Sequence, residues 1–239
     1  ESASFDEIKK EMINKIVNLG FPSAMQMLFE VLLFTAAIWL CGNIGKTSQA
    51  ANQIALSLAS MTFMVAMGLS VVSMIRISNQ KGLNDYKQLV IVARSIFLLA
   101  ILIEILFAVM FVALHQVLPY MFLNMEIQSQ LLDNQEVISI AAKLLLVAAV
   151  FQISDGMQVV VLGALRGLQD VKIPMYITFV AYWIVGVPVS FYLGNYTSLA
   201  LDGIWWSISI TSIFKGIVLF VLFHYVFFGY KTKKAFTIT

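Results

Sequence analysis

The sequence predicts an all-α integral membrane protein whose chain crosses the bilayer six times. Of its 239 residues, 60% are hydrophobic and only 12% are charged, and the mean hydropathy is +0.89. Its long apolar runs match the roughly 20 residues that a helix needs to cross the hydrocarbon core. Soluble enzymes and nucleic-acid-binding proteins are excluded, because neither needs so much apolar surface and a net charge of +2 is too small to attract a polyanion.

The apolar runs predict six transmembrane helices, at 19–41, 52–77, 95–118, 138–165, 173–193 and 203–228. Polar or turn-forming segments separate them, in order GNIGKTSQ, NQKGLND, NMEIQSQLLDNQE, RGLQDVKIP and GNYTSLALDG. Pro22 and Pro174 fall in predicted first turns, where a missing N–H costs nothing. Pro188 lies late inside the fifth span and predicts a kink there.

Lysine and arginine are distributed unequally between alternate ends of these helices, and cytoplasmic loops are the ones that retain them. One side carries Lys9, Lys10, Lys15, Arg76, Lys81, Lys87, Arg94, Arg166, Lys172, Lys231, Lys233 and Lys234, and the other has Lys46. We therefore expect both termini of this segment to be cytoplasmic. Lys143 and Lys215 lie within or beside spans, and we expect their long side chains to reach toward the nearest interface.

Three carboxyl groups are predicted to lie deep in the bilayer, where an ionisable side chain costs about 2.5–3.5 kcal/mol on insertion scales. Glu30 and Asp155 each lie near the middle of a span, in the first and fourth helices. Glu104 is similarly deep in the third span, but its neighbours on that helix are apolar. For this third buried acid we favour a structural role and keep a functional role as the alternative.

Amide side chains share a helical face with two of these acids. Gln26 precedes Glu30 by one turn, and Gln152 and Gln158 flank Asp155 at helical spacing. Such a face needs water or a ligand rather than lipid, which favours a site that exchanges a proton or binds a cation. The alternative is a protonated carboxyl that bonds a neighbouring helix and only fixes packing.

Other side chains are candidates for the wall of such a site, although methionine and aromatic stripes are more often ordinary packing. They are Met27, Met64, Phe151 and Tyr182. A lone cysteine, Cys41, excludes an internal disulfide, and His115 and His224 are too far apart to indicate a metal site. The GALRG segment at 163–167 fits a small-residue packing pattern, but its glycines could also end a helix.

Two long segments resemble helices of the multidrug and toxic compound extrusion (MATE) transporters, in the NorM-like branch of that family. The run LGFPSAMQMLFEVLLFTAAIWLCGNIGKTSQAANQIALSLASMTFMVAMGLS is similar to the seventh and eighth helices. The run DGMQVVVLGALRGLQDVKIPMYITFVAYWIVGVPVSFYLG is similar to the tenth and eleventh. The ordered combination covers essentially the whole chain and is far more specific than any single motif.

The resemblance implies that the chain is the C-terminal lobe, or half, of a twelve-helix transporter in the bacterial inner membrane. Such transporters are not enzymes; they export amphipathic or cationic drugs in exchange for Na⁺ or H⁺ by rocking two lobes about a central cavity. The expected partners are the N-terminal six-helix lobe, the lipid bilayer and the drugs, with no nucleic acid and no cofactor beyond the coupling ion. Because the chain begins at Glu1 rather than Met, we expect it to be a piece of a longer protein.

Residue by residue, Glu30 and Asp155 match the acids of the family's seventh and tenth helices, which are implicated in cation coupling and would be the ligands if the ion is Na⁺. Gln53 falls at the start of the eighth helix, which implies a place in the substrate cavity. Phe151 stands where some members have tyrosine, which keeps the ring face but loses the hydroxyl. Ala66 stands where a proline is frequent, so a kink in the eighth helix is not implied.

Three other functions remain alternatives. A lipid-linked sugar flippase of the same superfamily needs cations in its cavity to hold pyrophosphate, whereas the deep charges here are carboxylates. An intramembrane enzyme needs a metal cluster or an activated nucleophile, and neither HExxH nor GxSxG occurs. A membrane scaffold that does not transport would tolerate neutral replacement of its buried acids.

Overall fold

The computed structural model describes residues 5–123 and 131–235, and side chains over 9–123 and 133–227. These residues form α1 (Phe5–Ile44), α2 (Lys46–Gly82), α3 (Tyr86–Leu114), a 3₁₀ turn (Leu118–Phe122), α4 (Leu131–Gly167), α5 (Lys172–Phe179), a π-helical segment (Val180–Gly186), α6 (Val187–Tyr196) and α7 (Ala200–Ala235). Six stretches are long and apolar enough to cross a membrane, and α5, the π-helical segment and α6 together make the fifth. The predicted all-α class with six spans is confirmed.

Most helices extend beyond the predicted spans, because hydropathy marks the part of a helix inside the bilayer and not where its hydrogen bonding ends. Helix α1 begins at Phe5, and only Gly45 separates it from α2, so the GNIGKTSQ break is almost entirely helical. The third helix both begins and ends earlier than predicted, since α3 runs from Tyr86 to Leu114 and Pro119 lies in the first turn of the following 3₁₀ segment. Residues 124–130 of the NMEIQSQLLDNQE break lie outside the described part of the chain, and its remainder begins α4.

The predictions for Pro22, Pro174 and Pro188 had different outcomes. Pro22 lies inside α1, so its predicted place in a first turn was wrong, because the polar residues before it are helical as well. Pro174 does lie in the first turn of α5. The irregularity expected near Pro188 takes the form of the π-helical segment directly before it, where a proline cannot donate the regular hydrogen bond back along the helix.

Helix α4 is the centre of the bundle. In its most apolar window 61% of the residues are buried, compared with 28–33% in the other five spans. It crosses α2 at very short range, because a Cβ at Gly163 would overlap the backbone oxygen of Ser70 and one at Gly167 would lie 2.7 Å from that of Met74. The Ser70 hydroxyl also donates to the Val159 carbonyl at 2.8 Å. The glycines of the GALRG segment therefore pack helix against helix, and Gly167 also ends α4.

The basic residues of different helices meet at one end of the bundle. Lys81 at the end of α2 donates to the carbonyl of Leu168, just after α4. Arg166 at the end of α4 donates to Gln26 near the start of the apolar part of α1. The predicted cytoplasmic ends thus share one side, while the side chains of Lys231, Lys233 and Lys234 lie outside those described. That this side faces the cytoplasm stays a prediction.

Replacing Gly163 with alanine should destabilise the bundle by about 1–3 kcal/mol, because the new methyl group would force α2 and α4 apart. Thermal unfolding of the purified protein in detergent measures the effect. Gly20→Ala is the matched control, since nothing lies within 4 Å of a Cβ built at Gly20. Equal unfolding temperatures for the two variants would show that the close crossing does not limit stability.

Candidate functional site

Glu30 and Asp155, the two acids placed at mid-membrane by the sequence, share a hydrogen-bond partner. The amide nitrogen of Gln158 lies 3.0 Å from Glu30 Oε1 and 2.9 Å from Asp155 Oδ1. Because Gln158 and Asp155 lie one turn apart on α4, a single side chain links that helix to α1. The hydroxyl of Ser212, from α7, donates to the same Asp155 Oδ1 at 3.2 Å. Three helices therefore meet at this carboxylate.

Lys215 completes this group from α7, and its side chain is entirely buried. Its Nζ lies 4.0 Å from Glu30 Oε2, 3.2 Å from the Tyr182 hydroxyl and 4.2 Å from the centre of the Tyr182 ring. The expectation that Lys215 reaches toward an interface was therefore wrong. A carboxylate and an aromatic face compensate the ammonium inside the bundle.

Tyr182 reaches the group from the π-helical segment of the fifth span. Its hydroxyl lies 3.2 Å from the Gln158 amide nitrogen and 3.2 Å from Lys215 Nζ, and the side chain is buried. The amide nitrogen has only two hydrogens for its three oxygen neighbours, so its bonds must be shared or alternate. Single-turn π-helical segments are often found at functional sites, where they change which side chain faces the core.

Next to this group lies an open cavity of about 600 Å³ between α1, α2 and α4. Its wall is mostly apolar, and Glu30 and Asp155 are the ionisable residues among the described residues that line it. Six residues predicted for the site lie in this wall: Met27, Glu30, Gln53, Met64, Phe151 and Asp155. An apolar cavity that ends at two carboxylates suits an amphipathic molecule with a positive charge.

The other predicted amides do not line the cavity. Gln26 is buried, donates to the Val171 carbonyl at 2.8 Å and accepts from Arg166 at 3.2 Å, so it ties α1 to the α4–α5 connection. Gln152 donates to the backbone carbonyl of Glu104 at 3.1 Å. Gln158 and Tyr182 also lie behind the wall, in contact with the acids rather than with the open space. Helical spacing alone could not tell these roles apart.

Glu104 is buried against α4 rather than surrounded by apolar groups alone. A Cβ built at Gly156 would overlap its carboxylate, so the glycine makes room for the acid. Its Oε1 has no hydrogen-bond partner among the described residues. The sequence of α3 gave no sign of this, because the polar neighbours of Glu104 come from another helix.

The donor set suits a monovalent cation better than a transition metal. Within residues 5–123 and 131–235, no three His, Cys, Asp or Glu side chains are grouped to hold a metal ion. The buried Gln158 Oε1 lacks a hydrogen-bond partner, which leaves an oxygen beside the two carboxylates. An ion bound at Glu30 would however compete with the Lys215 ammonium for the same negative charge.

Six membrane-length helices around buried, paired ionisable groups define a polytopic α-helical membrane protein. The chain belongs to the MatE family, whose family model matches residues 22–192. A crystal structure of MATE in the bent conformation superimposes with a TM-score of 0.83, at 16% identity, over 98% of this chain and 49% of that one. The chain thus has the fold of half a MATE structure.

Curated relatives include the "Probable multidrug resistance protein NorM" of Agrobacterium fabrum, 34% identical over 191 residues. The "Multidrug resistance protein NorM" of Aliivibrio fischeri is 33% identical over 191 residues. Each comparison covers 80% of this chain and 40% of the relative, so the chain spans less than half the length of these proteins. The resemblance to the MATE family and its NorM-like members is confirmed.

Replacing Lys215 with methionine should lower the free energy of unfolding by about 3–5 kcal/mol at neutral pH, because it leaves buried carboxylates without their cation. Adding Glu30→Gln to this variant should restore part of the loss, since one of the unpaired charges is removed as well. Denaturation in detergent measures the single and double variants as a cycle.

Lys143→Met is the matched control, because Lys143 is exposed, in the wall of a separate surface cavity. Its stability should remain close to that of the unaltered protein. A similar loss in both lysine variants would mean that the Lys215 ammonium is not specifically compensated.

Proposed function

We propose that this chain is the C-terminal six-helix lobe of a multidrug efflux transporter that exports amphipathic or cationic drugs in exchange for Na⁺ or H⁺. The main support for this proposal is the apolar cavity, whose ionisable wall residues are Glu30 and Asp155. The names of the NorM relatives support the substrate class, and their greater length supports a second lobe. The proposed location is the bacterial inner membrane, with both ends of this segment on the cytoplasmic side.

The cavity can select its substrate by two properties. Methionine and aromatic side chains, such as Met27, Met64 and Phe151, bury the flat or aliphatic part of a drug and adapt to its shape. Glu30 and Asp155 attract its positive charge, and their attraction is strengthened by the surrounding apolar wall. Neutral hydrophobic molecules would use only the first of these contributions.

The exchange of drug for ion follows from the combined charge of Glu30, Asp155 and Lys215. With both carboxyls ionised and Lys215 charged, Glu30 and Asp155 retain one uncompensated negative charge between them. One proton, one Na⁺ or one monovalent drug can balance it, so these cations oppose each other's binding. Opening of the cavity to alternate sides would then require the second lobe as its other wall.

A lipid-linked sugar flippase is disfavoured by the same cavity. A pyrophosphate group would need basic side chains within reach, but the buried Lys215 and Arg166 are not part of the cavity wall. A membrane scaffold that does not transport is also disfavoured. Burying three carboxyl groups near one another is costly, and a scaffold gains no function from them.

Glu30→Gln and Asp155→Asn, each in the transporter with both lobes, should reduce drug export to background, because the cavity loses the charge that the exchanged cations share. Efflux of a fluorescent cationic dye from cells tests this, with membrane-inserted protein quantified in parallel. Glu136→Gln, which removes an exposed acid near the start of α4, should export normally. Normal drug resistance in cells that carry either cavity variant would refute the assignment.

Met64→Lys should weaken binding of a monovalent cationic drug by about 1 kcal/mol or more, because the exposed side chain lines the cavity and would add a repelling charge. Met64→Gln, a polar residue of similar length, is the control for lost packing. Fluorescence titration with a charged and a neutral dye separates the two effects. Equal losses for both dyes would show that charge does not govern recognition.

A further inference from the structure

A surface cavity of about 350 Å³ lies between the end of α3, the 3₁₀ turn and the N-terminal half of α4. Among the described residues its wall takes nothing from α1, α2 or α7, so it is distinct from the cavity that Glu30 and Asp155 line. Its polar wall residues are His115, Gln116, Tyr120, Ser139 and Lys143. The proposed function gives this cavity no role.

The position of Lys143 along α4 places the cavity at the level of the lipid headgroups. Lys143 and Arg166 are 23 residues apart on this helix, which is about 35 Å at 1.5 Å per residue. The hydrocarbon core is about 30 Å thick, so Lys143 reaches one interface when Arg166 lies at the other. The cavity therefore opens at the end of the bundle opposite to the basic end formed by Lys81 and Arg166.

The polar part of the wall suits an anion. Each of its five polar side chains can donate a hydrogen bond, and no aspartate or glutamate lies in the wall among the described residues. Lys143 is exposed and forms no ion pair with the side chains that the structure describes. His115 donates from Nδ1 to the Val112 carbonyl at 2.8 Å, which orients the ring and leaves Nε2 for a ligand.

The exposed face of α4 changes from polar to apolar between this cavity and the bilayer centre. Ser139, Lys143, Leu146 and Val150 share that face at helical spacing. Leu146 and Val150 are 41% and 42% exposed, although α4 is the most buried of the six spans. A soluble anion would leave these two side chains uncovered, whereas the acyl chain of a lipid would pack along them.

The 3₁₀ turn forms a fixed edge of the cavity. Pro119 is buried, Leu118 packs against the main hydrophobic core, and the Tyr120 N–H donates to the Val117 carbonyl at 3.1 Å. The Tyr120 side chain is 52% exposed. Tyrosine is enriched at membrane interfaces, because its ring is apolar and its hydroxyl bonds to headgroups or water.

We propose that this cavity binds an anionic phospholipid, with Lys143 and His115 at its phosphate and one acyl chain along Leu146 and Val150. A zwitterionic headgroup is disfavoured, because its ammonium would lie near Lys143 without an acid in the wall to pair with. With the basic end of the bundle in the cytoplasm, the lipid belongs to the outer leaflet. The inference goes beyond the proposed function and does not depend on transport.

The test is native mass spectrometry of the purified, delipidated protein, titrated with dioleoylphosphatidylglycerol. Lys143→Met should lower the affinity of the first bound lipid by about fivefold, because it removes the basic side chain at the phosphate. Lys46→Met is the matched control, since Lys46 is also exposed and begins α2 at the same end of the bundle, outside the cavity wall. It should bind the lipid as the unaltered protein does.

Two further titrations identify the chemistry of the ligand. The unaltered protein should bind dioleoylphosphatidylglycerol about fivefold more tightly than dioleoylphosphatidylethanolamine, and Lys143→Glu should abolish this preference. Inorganic phosphate at millimolar concentration should not displace the lipid, because it has no acyl chain to contact Leu146 and Val150.

Three outcomes would overturn the proposal. Equal affinities of Lys143→Met and Lys46→Met would show that the lysine in the cavity does not bind the headgroup. Equal affinities of the unaltered protein for the two lipids would show that the site does not select negative charge. Displacement by inorganic phosphate would assign the cavity to a soluble anion instead of a lipid.

Discussion

The buried ammonium of Lys215 is the interaction on which this arrangement depends. A lysine without contact to water must be compensated inside the protein, and here the compensation comes from Glu30 on α1 and the ring and hydroxyl of Tyr182. Gln158 then joins Tyr182, Glu30 and Asp155 through a single nitrogen. Four of the six spans are held together at one point by groups that cannot be removed singly without leaving a buried charge or polar atom unpaired.

This convergence is possible because the central helix carries glycine where other helices approach it. Gly163 and Gly167 bring α2 into backbone contact with α4, and Gly156 admits the carboxylate of Glu104 from α3. Without hydrophobic attraction between helices in lipid, such close packing is a main source of their association. The same feature that stabilises the bundle therefore sets the distances between the acids.

Asp155 connects the buried group with the cavity and gives the arrangement its functional meaning. One oxygen accepts hydrogen bonds from Gln158 and Ser212, and the residue also forms part of the walls of the open cavity and of a small space of about 10 Å³ between α2, α3 and α4. Under the proposed function, a cation bound at this carboxyl group would lower the negative charge available to a drug in the cavity, so the two would be linked without a long-range pathway.

The sequence by itself determined the six spans and identified six residues of the cavity wall, including both of its acids. It also predicted that Glu30, Glu104 and Asp155 lie deep in the bilayer, because hydropathy and spacing along one helix indicate depth and face. Tertiary structure alone decided which neighbour each helix face contacts. It buries Lys215 against Glu30, and it places Gln26 in hydrogen-bond contact with Arg166 and Val171. It also places Glu104 beside polar residues of α4. In the folded protein α1 also continues past Pro22 without ending, and Tyr182 lies on a π-helical segment. These outcomes depend on packing between distant segments, and no local pattern in the sequence encodes the rotation of one helix relative to another.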